Sequence, residues 1–214
     1  NETQQNFNPA IGFVTRAGIK ELNSSFNYRP RPQNHPFIRQ FTLGIEYSGT
    51  MDSRNDLLTR DISLNLIQIN SHWGDNVRFE ISPRYERLDG PFRMNDNKIV
   101  LPAGAEYTFN RYVVNAGTGN SRRAAINAFY AWGDYFSGTR WDLSPGVSFR
   151  PRNGSLIELN GEWHRIELPE GHFTTRLFRT NIFQQFSPWV SLSSNIQYDT
   201  ASRIVGWQGR FRWI

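Results

Sequence analysis

The sequence predicts an all-β fold, an antiparallel up-and-down meander of about twelve long strands that forms a transmembrane β-barrel or a partial barrel. Three features of the chain predict it. Apolar and polar residues alternate with a period of two, many alternating segments are long, and aromatic residues gather near their ends. Ordinary globular strands are most often about five or six residues long, whereas membrane-crossing strands need about nine to eleven. Strand length therefore favours the membrane-crossing architecture.

The composition excludes several classes of protein. Aromatic residues make up 14% of the 214 residues, whereas disordered segments are poor in them. The mean hydropathy is −0.59, and no run approaches the roughly 18 to 20 apolar residues of a spanning helix. The absence of Cys excludes disulfide scaffolds and thiolate zinc sites.

Positive charge is scattered along the sequence. There are 24 Lys plus Arg against 19 Asp plus Glu, a formal net charge of +5, and most arginines stand singly near an acidic residue. A nucleic-acid-binding face would gather its basic residues on one surface. We therefore expect no nucleic-acid partner.

Each predicted strand alternates apolar and polar residues, as a strand with one wet face requires. The alternating apolar positions are, in chain order, Phe41, Leu43, Ile45 and Tyr47; Val77, Phe79 and Ile81; Trp141, Leu143, Val147 and Phe149; Ile157, Leu159 and Trp163; Val190, Leu192, Ile196 and Tyr198; and Val205, Trp207, Phe211 and Trp213. The predicted strands span residues 9–16, 18–28, 37–48, 59–70, 76–86, 104–116, 122–132, 139–150, 155–166, 173–186, 189–199 and 203–214.

The connections predict two different rims. Compact turns at 70–75, 117–121, 151–154 and 187–188 alternate with wider loops at 49–58, 87–103, 133–138 and 167–172. In a meander every other connection lies at the same end, so short turns would share one rim and long loops the other. Pro30, Pro32 and Pro36 keep residues 29–36 out of any strand, because proline cannot donate to the ladder.

Aromatic residues near the predicted strand ends resemble the interfacial girdle of a membrane barrel. They are Tyr28, Phe37, Trp73, Phe149, Phe186, Trp189, Phe211 and Trp213. The alternative is aromatic packing inside a soluble β-sandwich, a binding module in which Leu159 and Trp163 would point into a dry core between two sheets.

One group of residues is a candidate for catalysis. Glu162 and His164 share parity on one strand, and Glu170 and His172 follow in the next loop. Such a cluster could bind a metal or act as a general base, but a histidine in a barrel lining is more often an ion-pair partner. The hydrolase and phosphate-binding motifs GxSxG and GxxxxGK are absent, as are HExxH and the EF-hand loop. We therefore assign no metal and no cofactor.

Two further groups are candidate binding residues. Trp132, Asp134, Tyr135 and Phe136 form an aromatic and acidic tip that, together with Glu170, could stack on and hydrogen-bond a saccharide; alternatively the tip is an ordinary turn beside a girdle Trp. A predicted ladder of ion pairs lines the interior and would tune its selectivity for solutes. Its members are Arg140, Glu158, Glu162 and Arg176.

Six separated stretches resemble one family, in the same order: NPAIGFVTRAG at 8–18, YERLDGPF at 85–92, LPAGAEYTFNR at 101–111, WGDYFSGTR at 132–140, LPEGHFTTR at 168–176 and QYDTASRIVGWQGRFRW at 197–213. The chain resembles the outer-membrane β-barrel domain of unknown function 5916 family, which follows a family-nine-like carbohydrate-binding module in Gram-negative bacterial proteins. The resemblance spans essentially the whole chain. It implies a fold and a location, and no activity.

These observations set the expectations for the whole chain. Residues 1–214 would form a single β-barrel domain, a fragment of a longer protein that lacks an N-terminal carbohydrate-binding module and some C-terminal strands. The expected location is the cell outer membrane, with membrane lipid and a saccharide or small solute as partners. The expected role is non-enzymatic: a surface anchor or small-solute channel associated with carbohydrate binding or uptake. The alternative is a barrel hydrolase acting at the long-loop rim.

Overall fold

The computed structural model describes residues 2–3 and 18–214, and all regular structure within them is β-structure. None of these residues belongs to a helix that could span a membrane. The strands are β1 Glu2–Thr3, β2 Ile19–Tyr28, β3 Ile38–Asp52, β4 Leu57–Ser71, β5 Asn76–Arg87, β6 Phe92–Met94, β7 Ile99–Leu101, β8 Glu106–Gly117, β9 Ala124–Tyr135, β10 Gly138–Phe149, β11 Ser155–Leu168, β12 Gly171–Gln185, β13 Val190–Asp199 and β14 Ile204–Trp213.

Twelve of these strands form one antiparallel sheet in chain order, with β6 and β7 set apart as a hairpin of their own. The predicted all-β up-and-down meander is confirmed. Eleven of the twelve predicted strands coincide with β2–β5 and β8–β14 to within a few residues, while the predicted strand 9–16 lies outside the described residues. Among the described residues the sheet is not closed, because β14 pairs only with β13.

The connections alternate between two rims. The proline rim, as we call it, carries connections 29–37, 72–75, 118–123, 150–154 and 186–189; the hairpin rim carries 53–56, 88–105, 136–137, 169–170 and 200–203. The prolines at 30, 32 and 36 lie outside the strands, as predicted. They belong to connection 29–37, which is the longest of the proline rim, although short turns were predicted there.

Three of the four predicted wide loops are wrong, and so is the expected separation of short turns and long loops onto different rims. The predicted loop 49–58 is only the connection 53–56, because β3 runs on to Asp52 and β4 already starts at Leu57. The predicted loops 133–138 and 167–172 are two-residue turns, because β9 runs on to Tyr135 and β12 already starts at Gly171. Gly133 and Gly138 lie inside the strands and not in a loop. A Cβ at either position would collide with a backbone carbonyl of the neighbouring strand, so these glycines permit close strand approach. The predicted loop 87–103 is long, and it holds the unpredicted hairpin β6–β7.

The sheet has two chemically different faces. Strand register places polar side chains on one side, which we call the polar face, and apolar side chains on the other, the apolar face. Several polar-face residues are buried, namely Thr42, Glu80, Ser82, Arg111 and Asp142. Large residues of the apolar face are exposed, among them Phe26, Ile45, Val77, Ile126, Leu159, Leu192, Val205 and Trp207. The usual distribution of a water-soluble protein is thereby inverted.

The principal apolar cluster lies on the polar face, at the hairpin rim. Its buried members are Leu88, Ile99, Leu101, Ile166 and Leu168, and Met94, Tyr107, Tyr135, Phe136 and Phe173 pack against them. The β6–β7 hairpin therefore covers β8 to β12 at this rim. No second sheet packs on the apolar face in the described part of the chain, and Leu159 there is 52% exposed. This arrangement does not provide the dry two-sheet core of the sandwich alternative.

Candidate functional site

A network of charged side chains on the polar face is centred on Asp142 of β10. This carboxylate is 4% exposed. Its Oδ2 accepts from Arg111 Nη2 at 2.6 Å, and its Oδ1 accepts from Arg140 Nε at 2.7 Å and lies 2.6 Å from His164 Nδ1. Side chains from three strands thus contact one buried carboxylate, and each of its two oxygens has a partner.

Small residues of β9 allow this network to form. Arg111 of β8 and Asp142 of β10 lie on either side of β9, two strand spacings or about 10 Å apart. The β9 residues that lie between them on the polar face are Ala131 and Gly133. Because neither has a long side chain, the guanidinium of Arg111 reaches across β9 and also donates to the carbonyl oxygens of Gly133 and Arg140.

A second network lies on the same face, over β4 and β5. Ser82 Oγ donates to Asp61 Oδ1 at 3.0 Å, and Arg84 Nε lies 3.2 Å from Asp61 Oδ2. Glu80, which is also buried, accepts from Ser63 and forms an ion pair with Arg78. The polar face is therefore lined by paired charges along most of its width, as the interiors of membrane barrels are.

Glu162 and His164 lie together on the polar face, and His172 does not join them. His164 Nε2 is 3.7 Å from Glu162 Oε2. His172 pairs in register with Glu167 on the opposite face and is exposed. The expectation that His172 completes a cluster with Glu162 and His164 is wrong, because β12 already begins at Gly171 and its even-numbered residues face away.

Among the described residues, the surroundings of His164 supply an orienting carboxylate but no hydrogen-bonded serine. Its Nδ1 is held by Asp142, as in a histidine oriented for base catalysis, but no serine hydroxyl hydrogen-bonds its ring in the described part of the chain. No group of three His, Asp or Glu side chains within residues 2–3 and 18–214 could hold a metal ion.

Three of the four predicted lining residues lie on the polar face, and the fourth does not. Arg140 belongs to the Asp142 network, Glu158 accepts from Asn181 Nδ2 at 3.3 Å, and Glu162 lies 3.8 Å from Arg179 Nη2. The prediction that Arg176 belongs to the lining is wrong, because Arg176 pairs in register with Trp163 on the apolar face and is exposed. Arg179, three residues on, is the arginine of β12 that faces Glu162.

The predicted saccharide tip is divided between the two faces. Trp132 lies on the apolar face, where its ring stacks on Tyr112 and Tyr130 at 5.6 and 5.1 Å between centroids. Asp134 is exposed on the same face. Tyr135 and Phe136 instead pack under the hairpin, with their own rings 4.7 Å apart. These four side chains therefore do not form one binding surface.

Glu170, the remaining candidate, lies in the turn between β11 and β12. Its Oε2 accepts a hydrogen bond of 2.8 Å from Ser137 Oγ in the turn between β9 and β10. The contact joins two neighbouring turns of the hairpin rim. Glu170 is exposed, and its place beside this turn separates it from Trp132 on the apolar face.

Sequence reasoning missed Arg111, Asp142 and Glu80, which are the most buried charged residues of the polar face. The available signal was their position in the alternation of polar and apolar residues along each strand. Asp142 alternates with Trp141 and Leu143, so the sequence already placed it on the wet side of its strand. Its burial depends on Arg111 reaching across β9, which no local pattern shows.

Aromatic residues of the apolar face and its proline rim form two bands. Those at the proline rim are Tyr28, Phe37, Trp73, Phe149, Phe186, Trp189 and Trp213, all exposed. A second band, nearer the hairpin rim, contains Tyr112, Tyr130, Trp132, Trp141, Trp163, Phe178 and Tyr198. Along β10, Trp141 and Phe149 are eight residues apart, or about 27 Å at 3.4 Å per residue.

No family model, curated protein or solved structure matches the chain.

Proposed function

We propose that this chain is an outer-membrane β-barrel, or a large part of one, that serves as a surface anchor or a small-solute channel. The inverted sheet is the observation that carries the proposal. Its strands bury charged side chains on one face and expose large apolar side chains on the other. A continuous exposed apolar surface is unfavourable in water, whereas hydrocarbon solvates it.

The length of the strands and the spacing of the aromatic bands support a membrane location. Strands of the main sheet other than β1 have 10 to 15 residues, at or above the roughly nine to eleven that a crossing needs. The distance of about 27 Å between the aromatic bands along β10 shortens to about 20 Å across the bilayer when a strand tilts by about 40°. An outer-membrane barrel has an apolar band about 25 Å tall between its two girdles.

The charge pairs of the polar face support a passive role. Asp142, Glu80 and Asp61 are each held by arginine, which is typical of a lining and leaves no carboxylate of these networks poised as a base. The resemblance to barrels that follow a carbohydrate-binding module extends the proposal to an association with saccharide binding or uptake. In a closed barrel the edge of β14 would also be paired, since hydrocarbon leaves no water for open backbone groups.

Reconstitution tests the proposal in two stages. In the first stage, we expect the protein to fold into lipid vesicles with its strands protected from protease. In the second stage, if the protein is a channel, we expect it to conduct ions in planar bilayers. A protected but silent protein would be an anchor with a blocked interior. A protein that stays monomeric and folded in buffer, and does not enter vesicles, would contradict the membrane assignment.

A further inference from the structure

Arginines that are scattered in the sequence gather at the proline rim. Its five connections contain six arginines and a single acidic residue, Asp75. The five connections of the hairpin rim contain four basic and four acidic residues. The connections of the proline rim therefore carry a net positive charge, whereas those of the hairpin rim are neutral overall.

Four of these arginines line one open cleft between neighbouring turns. Arg122 and Arg123 come from connection 118–123, and Arg150 and Arg152 from connection 150–154. The cleft encloses about 760 Å³. The backbone N–H of Arg150 donates to the carbonyl oxygen of Arg123 at 2.7 Å, which ties the two turns together. The charges are thus held close to one another by the backbone.

Most of this charge has no acidic partner. Arg122 Nη2 pairs with Asp75 Oδ2 at 2.7 Å. Within the described part of the chain, Arg123, Arg150 and Arg152 form no ion pair; Arg150 Nη1 and Arg152 Nε donate only to hydroxyls, at 3.5 and 3.3 Å. Each guanidinium has five N–H donors, so several remain for a ligand. Arginines arranged in this way favour planar or tetrahedral oxyanions, which they bind through paired hydrogen bonds.

The cleft opens towards the polar face. Leu156 and Phe183 form its apolar wall, and both lie on the polar-face side of their strands. The same two residues border a second cavity of about 350 Å³, which Glu158, Asn181 and Arg210 also line. A ligand in the cleft that contacted Leu156 and Phe183 would therefore lie on the side of the polar face, away from the large side chains of the apolar face. This favours a soluble anion over a lipid head group.

We propose that the four-arginine cleft is a binding site for small soluble oligoanions, bearing phosphate, sulfate or carboxylate groups, where the proline rim meets the polar face. The proposal rests on the proposed function, since it names the class of solute that such a barrel would admit. An apolar wall beside the arginines would suit an anion that carries a ring or a short carbon skeleton.

Pyrophosphate is a suitable first probe. We expect calorimetry on the detergent-solubilised chain to show saturable binding that weakens as salt rises. The double variant Arg123→Gln, Arg152→Gln should bind at least about tenfold more weakly, because two charge-assisted contacts are lost. Arg93→Gln removes one exposed charge from the opposite rim and should bind as the unaltered chain does. Gel mobility before and after heating, together with circular dichroism, would verify that all three proteins are folded.

Binding to vesicles distinguishes a soluble phosphate ligand from the phosphate of a lipid head group. If the cleft takes a soluble anion, the double variant should insert equally well into vesicles with and without anionic lipid. Absence of pyrophosphate binding by the folded chain would overturn the proposal, and so would equal binding by the double variant. Selective loss of affinity for anionic vesicles would assign the cleft to lipid and overturn it as well. The pyrophosphate results depend neither on conductance nor on insertion into vesicles, so a failure of the proposed function would be seen separately.

Discussion

Trp207 and Gln208 are neighbours in β14 that lie on opposite faces of the sheet. Trp207 is on the apolar face and 73% exposed, whereas Gln208 aligns with Asn195 on the polar face. An arginine on the lipid side of a barrel costs about 2 to 4 kcal/mol at the bilayer midplane. We therefore expect Trp207→Arg to lower the folding yield in lipid vesicles and Gln208→Arg to leave it unchanged. Equal yields would contradict the assignment of the two faces.

Asp142 is the residue on which the polar network depends. Asp142→Asn would leave Arg111, which is 6% exposed, without a carboxylate partner. Breaking a buried ion pair in this way costs about 3 to 5 kcal/mol. The matched change Glu158→Gln keeps a hydrogen-bond acceptor for Asn181 and should cost about 1 kcal/mol or less. Urea unfolding of both variants in the same lipid vesicles measures the difference, and similar costs would mean that Arg111 finds another partner.

Asp75 gives the proline rim a dependence on pH. The backbone N–H of Gly119, and then Arg122, hold the pKa of its carboxyl below the ordinary value. A lowered pKa in the folded state stabilises the turn contact above the unfolded-state pKa, and this stability is lost as the pH falls through the folded-state pKa. We expect the stability difference between the unaltered chain and Asp75→Asn to be constant near neutral pH and to vanish in strong acid. Acid titration followed by circular dichroism would show it, and a difference that persisted in strong acid would exclude this cause.

At the scale of the element, the β6–β7 hairpin is the part of the fold most dependent on apolar packing. Leu101 is fully buried, while its neighbour Val100 is 41% exposed. Leu101→Ala should destabilise the docked hairpin by about 2 to 5 kcal/mol, and Val100→Ala should have little effect. Hydrogen exchange of the amides in residues 92–101 measures this. Unchanged protection in the Leu101 variant would show that packing of this side chain does not hold the hairpin.

The sequence predicted the long strands well because period-two alternation is a local signal. It missed β6 and β7, whose three residues each are too few to show alternation. It misplaced Arg176 for a different reason. Near the hairpin rim the polar face carries Ile166, Leu168 and Phe173, which pack under the hairpin, and the other face becomes polar. Polarity therefore reverses within β11 and β12, and only tertiary contacts reveal where.

At the scale of the whole molecule, all seven tryptophans lie on the apolar face or in the connections of the proline rim. We expect lipids brominated along their acyl chains to quench much of the tryptophan fluorescence of the reconstituted protein, and acrylamide in the buffer to quench it weakly. The soluble, unfolded chain in urea serves as the control. Strong quenching by acrylamide with none by brominated lipid would place the apolar face in water.

The hairpin covers only part of the polar face. Over β2–β5 two neighbouring cavities, of about 330 and 710 Å³, share Glu46 and Ser63; Arg39 near the proline rim lines the first, and Thr59 near the hairpin rim lines the second. In the channel that we propose, a solute that passed along these two cavities would not have to displace the hairpin. A current carried by it would therefore be steady, without the opening and closing steps that a moving lid produces.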